Sequence, residues 1–154
     1  MTDCRSIFWD GTQYIVTSQR PGYIFVSTPV SWERRFTGIS SFDALDVSNG
    51  PGGVYGVGAS GRIYFSTDVG TWSQKSGGNG AAFTDLAKRE GLLLATDGVN
   101  KPLLSHNGID WLESSIEHPF ANLLWTGQRF IGHSGGNFLT SMDGNSGSTK
   151  NQVG

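Results

Sequence analysis

Apolar residues along this chain gather in short runs that last about five to seven residues and are bounded by Gly, Asn, Asp and Ser. Alternation within the runs is partial, as in strands with one face more buried than the other, and predicts β-structure. No stretch repeats apolar residues at the helical period. The segment 42–76 shows the pattern clearly: "FDALDV", "VYGVGAS", "RIYFST" and "TWSQKS" are four successive candidate strands.

This pattern recurs. "STPVSW" begins at Ser27, "STDVGTW" at Ser66, "SHNGIDW" at Ser105 and "SMDGNSG" at Ser141. The first three serines stand 39 residues apart and the fourth follows after 36. Trp32, Trp72 and Trp111 keep the same step, at 40 and 39 residues. A second marker also keeps step, because "WDGTQYIV" from Trp9 and "WTGQRFIG" from Trp125 lie 116 residues apart, close to three periods. A four-stranded unit of about 40 residues is the size of one propeller blade. The expected fold is therefore all-β, a small β-propeller or propeller segment of about four four-stranded blades. The blades are placed at roughly 4–40, 41–79, 80–118 and 119–154. In the fourth unit Gly147 replaces the tryptophan, and "SGSTKNQVG" makes a poor strand. Its outer strand is expected to be missing, frayed or supplied from elsewhere, with 145–154 as a flexible tail. Closure between the chain ends or completion by a partner subunit is then required, since an open arc leaves edges that invite pairing.

Composition agrees with many strands and tight turns. Of 154 residues 23 are glycine, the charged share is 16% and the aromatic share 12%. A net charge of −2 offers no basic field for nucleic acid or anionic lipid. Cys4 is the only cysteine, so no intrachain disulfide or cysteine-based zinc cluster forms. There is no membrane-length apolar run and no signal-peptide core, so the expected location is cytoplasmic or virion-associated.

The hairpins of Ser66, Asp68, Gly70 and Trp72 and of Ser105, Asn107, Gly108 and Trp111 resemble Asp-box repeats, also called bacterial neuraminidase repeats. Ser27 and Trp32 keep only the ends of the motif; Ser141, Asp143 and Gly144 keep its start. The resemblance spans nearly the whole chain and implies sialidase-like propeller blades. In such blades the box forms the turn between the third and fourth strands, on the face opposite any active site. Elementary chemistry supports a structural role: Asp and Asn accept hydrogen bonds from turn amides, Gly supplies positive φ, and Trp buries a large area.

Chemistry is accordingly sought on the other face. Arg20, Arg62 and Lys101 fall in equivalent loops and form a candidate ring for an anionic or polar glycan. Asp43, Asp46, Asp85 and Asn122 are the polar candidates along the axis, and Asp43 with Asp85 is a candidate carboxylate pair for glycoside hydrolysis. The catalytic set of the sialidases, an arginine triad with a tyrosine nucleophile, maps onto no positions here. No cofactor or metal site is expected, because no histidine has a neighbour at ligand spacing. The expected function is a non-enzymatic structural or interaction module that engages another protein chain or its own copies, for example a phage tail, fibre or decoration component. A glycan-binding lectin-like propeller is the alternative, and a glycosidase stands behind it.

Overall fold

A computed structural model describes residues 4–19, 21–75, 78 and 80–151. It contains four four-stranded antiparallel sheets in strict chain order. The first holds β1 (Cys4–Trp9), β2 (Tyr14–Ser18), β3 (Tyr23–Ser27) and β4 (Trp32–Phe36). The second holds β5 (Ala44–Gly50), β6 (Gly53–Gly58), β7 (Ile63–Ser66) and β8 (Ser73–Lys75). β9 (Asp85–Arg89), β10 (Leu92–Thr96), β11 (Leu103–Ser105) and β12 (Leu112–Glu113) form the third. β13 (Asn122–Trp125), β14 (Phe130–Ser134), β15 (Asn137–Ser141) and β16 (Ser148–Asn151) form the fourth. Among the described residues the only helical element is a 3₁₀ turn, Ala59–Gly61.

Every sheet is a meander, since neighbours in sequence are neighbours in space and tight turns join them. The first strands β1, β5, β9 and β13 lie side by side in sequence and line the inner edge of the array. Each linker between sheets ends in a buried phenylalanine, Phe42, Phe83 or Phe120. The linkers are also tied back to the preceding sheet: the Gly22 amide donates to the Phe42 carbonyl at 2.8 Å, and the Thr96 hydroxyl donates to that of Phe120.

The cores sit between sheets, one at each junction. Ile15, Ile24 and Val26 of the first sheet pack on Val54, Tyr64 and Trp72 of the second. Tyr55, Val57 and Ile63 of the second meet Leu86, Leu93 and Leu103 of the third. Leu94 and Leu104 of the third meet Leu123, Phe130 and Leu139 of the fourth. Both faces of an inner sheet are thus covered, which is why alternation in the sequence is only partial.

The fourth sheet corrects the expectation of a missing outer strand. β16 pairs with β15 from Thr140↔Ser148 to Asn137↔Asn151. Backbone hydrogen bonds make this pairing, so it needs no tryptophan. The hairpin turn before it is intact, and an outermost strand tolerates polar residues. Among the described residues the first and fourth sheets do not pack on each other either. Ile7 and Leu124, in the first and last inner strands, are each 64% exposed, so the four sheets form an open arc.

Candidate functional site

The box turns are built alike in the last three sheets. In the second, the Asp68 carboxylate accepts the Gly70 and Thr71 amides at 2.8 Å each, while the Ser66 hydroxyl donates to the Thr71 carbonyl at 2.7 Å. In the third, the Asn107 amide oxygen accepts the Ile109 and Asp110 amides at 2.8 and 2.9 Å. In the fourth, Asp143 accepts the Asn145 and Ser146 amides at 2.9 and 2.8 Å, and chiefly the Ser146 amide holds its carboxyl down at about 2. The Gly144 amide donates to Ser141 at 2.8 Å, as the Gly108 amide does to Ser105. The first turn differs: Thr28 closes it by accepting the Ser31 amide at 2.9 Å, and Ser27 instead accepts the Tyr14 amide.

One detail departs from the expected role of Gly70. The left-handed position of the turn, three residues after the serine, holds Gly108 and Gly144 in the last two boxes but Val69 in the second, at φ +61°. The box glycine has slipped one residue, so a β-branched residue carries the strain, and burial of Val69 in the first junction offsets it. Gly108→Ala is expected to cost more than about 2 kcal/mol in chemical denaturation, because its φ is +73° and a Cβ would sit 2.1 Å from the Tyr55 hydroxyl. At Gly70 the nearest atom to a Cβ is 3.6 Å away, and Gly70→Ala should be close to neutral. Equal losses at the two glycines would refute this account.

The axis presents a different constellation from the one expected. Asp43 does not meet Asp85. It is bound within its own sheet, accepting from Arg62 at 2.7 Å and from the Tyr64 hydroxyl at 2.6 Å. Asp85 instead adjoins Asp46, and the Leu86 amide donates to both carboxylates at 2.9 Å. The Ser6 hydroxyl donates to the other Asp46 oxygen at 2.5 Å, and the Leu123 amide donates to Asp85 at 2.6 Å. Burial first, then the hydrogen bond to the neighbouring Asp85 carboxyl, pushes Asp46 up to about 7.

Ser6, Asp46, Asp85 and Asn122 occupy equivalent register positions, opposite Thr17, Val57, Thr96 and His133. Ser6, Asp46 and Asp85 form a clasp in which one inner strand is stitched to the next. Sequence patterning alone does not single out Ser6. The signal was there, at steps of 40, 39 and 37 residues, but a serine carries no chemical mark of its own. Asn122 is exposed at the end of this series.

The expected cationic ring is not assembled from its described members. Arg62 is committed to Asp43, Lys101 is exposed, and Arg20 lies outside the described residues.

The free face of the first sheet carries a contiguous set of apolar and aromatic residues. Ile7, Val16 and Phe25 form one cross-strand row, and Trp9, Tyr14 and Trp32 belong to the next. Trp9 and Tyr14 lie 4.8 Å apart between ring centroids, and Tyr23 and Phe36 lie 5.4 Å apart. Trp32 is 51% exposed, whereas Trp72 at the same place in the second sheet is 4% exposed.

No family model matches the chain, and no curated protein matches it. Solved structures do. Virginiamycin B lyase from Staphylococcus aureus superposes with a TM-score of 0.80 at 14% identity, over 99% of this chain and 56% of that one. The WD40 β-propeller domain of Doa1 gives 0.73 at 12% identity, over 99% and 55%. YCF48 bound to D1 peptide gives 0.67 at 15% identity, over 96% and 52%. The fold is that of a β-propeller segment, and the chain spans about half the length of these structures.

Proposed function

We propose that this chain is a non-catalytic protein-interaction module, an arc of Asp-box propeller blades that serves as a structural component of a larger assembly. The exposed aromatic face of the first sheet carries this reading. Soluble proteins rarely expose a contiguous apolar patch of this kind unless a partner covers it. YCF48, one of the structural neighbours, is bound to a peptide, which shows the fold in such a role. Low charge, abundant glycine and repeated hairpins fit a virion component of the tail, fibre or decoration type by compositional analogy.

The axial carboxylates speak for structure rather than turnover. Glycosidases hold their two carboxyl groups about 5–9.5 Å apart to admit substrate or water. Asp46 and Asp85 converge on one amide, leaving no such gap. An immobilised chain is expected to retain a protein partner that a Trp32→Asp variant loses, and to hydrolyse none of a broad panel of glycosides. Turnover abolished by Asp46→Asn or Asp85→Asn would overturn the reading. So would a glycan-array signal lost on Arg62→Ala.

A further inference from the structure

The three junctions inside the chain follow one rule. Each sheet turns one face to the sheet before it and the other to the sheet after it, and the same register positions are used each time. The backward-facing row is Val47–Gly56–Tyr64 in the second sheet, Leu86–Ala95–Leu103 in the third and Leu123–Gly132–Leu139 in the fourth. All nine residues are buried. The corresponding row in the first sheet is Ile7–Val16–Phe25, against which none of the described sheets packs: Ile7 is 64% exposed and Phe25 half-buried, while Val16 is buried.

The forward-facing positions obey the same rule. Ile15, Tyr55 and Leu94 are buried under the following sheet, and their equivalent in the fourth sheet, Ile131, is exposed. Beside it stand Leu124 and Phe138, also exposed. One end of the arc therefore presents an uncovered backward face and the other an uncovered forward face. These are the two halves of a junction that the chain already makes three times.

We propose that the occupant of both faces is a second copy of this chain, joined head to tail so that two arcs close one ring of eight sheets. This proposal rests on the interaction reading above and names its partner. Continuity with the internal junctions argues for it, since the surface that fits the first sheet's backward face is a forward face of this same construction. So does the span of the arc, about half of the larger propellers on which it superposes.

The axial clasp supplies a polar counterpart. Asp46 accepts the Leu86 amide and Asp85 accepts the Leu123 amide, each from the residue after the next position in the series. Continued across the gap, the Asn122 side-chain oxygen accepts the amide of the second copy's Ile7. Both junctions of the ring form this way, related by a two-fold axis, and no blade face is left uncovered.

The test is the solution mass of the 154-residue chain over a range of concentrations, with Ile7→Asp and Leu124→Asp as variants. Both side chains are exposed in the single chain, so each variant should keep its β-sheet circular dichroism. The expected result is a dimer of the wild-type chain, with association weakened about tenfold or more in each variant. An equimolar mixture of the two variants should recover a dimer, because one undamaged junction forms between them. Leu124→Asp leaving the dimer intact, or association running on into open fibres, overturns the closed ring. A wild-type monomer that still captures a different protein through Trp32 overturns the second-copy assignment alone. A monomer that captures nothing overturns the interaction reading with it.

Discussion

Trp72→Ala is expected to remove about 3–5 kcal/mol of folding stability. The indole is almost fully buried in the first junction, edge-on to Phe42 with centroids 5.0 Å apart, and donates to the Val69 carbonyl at 3.2 Å. Phe42 in turn packs on Tyr64 at 4.5 Å, so the cavity opens at the centre of the junction, where backbone from two sheets cannot easily collapse. Trp32→Ala in a monomeric background should cost far less, since half of that ring is already in solvent. Trp111 is half-buried and should fall between them. Urea denaturation of the three variants reads the order directly, and a Trp32 loss as large as that of Trp72 would contradict the open arc.

Asp46→Asn is expected to stabilise the protein at pH 8, by about 1–4 kcal/mol, and to leave it nearly unchanged at pH 4. In the folded protein Asp46 holds its proton up to about 7, whereas in the unfolded chain it ionises near 3.9. Folding therefore takes up a proton between these values, and the Asp46 contribution to stability falls as pH rises through that window. Asparagine keeps an acceptor for the Leu86 amide and can donate to Asp85 without a charge. Asp143 runs the other way: its depressed carboxyl stabilises the fold above the ordinary aspartate range, and that contribution is lost as pH falls through about 2. Melting temperatures of wild type and variant from pH 2 to 8 separate these effects, Asp143 acting below about pH 4 and Asp46 above it. A variant less stable than wild type at every pH would show that the shared proton is not the governing feature of the clasp.

Much of the architecture was legible because it is local. A box turn needs an acceptor two or three residues from the amides it binds, and Asp68, Asn107 and Asp143 each meet that need within one hairpin. Strand lengths and turn positions follow from the same short-range chemistry. The fourth outer strand forms although its box lacks the tryptophan. The turn and the backbone ladder are sufficient, and the tryptophan serves the junction between sheets.

The axial site was harder to read. Asp43, Asp46 and Asp85 are chemically alike in sequence, and only their direction from the strand separates them. A register irregularity in β5 between Ala44 and Asp46 helps to set that direction. Asp43 was drawn to Arg62 and Tyr64 across its own sheet, while Asp46 reached the next one. Residues about 40 apart in the chain became neighbours through the stacking of sheets, a relation that periodicity implies but does not orient.

By itself the amino-acid sequence determined the number of sheets, the order of strands within them and the turns that join them, since each depends on contacts within about 40 residues. The tertiary structure alone decided which equivalent positions are covered. Trp32 and Trp72 occupy the same place in the same motif, yet one lies open and the other is buried. The difference is whether a sheet stands in front: the first sheet packs on Trp72, and none of the described sheets packs on Trp32. Among the described residues the four sheets make an arc that leaves one face of the first sheet and one face of the fourth uncovered.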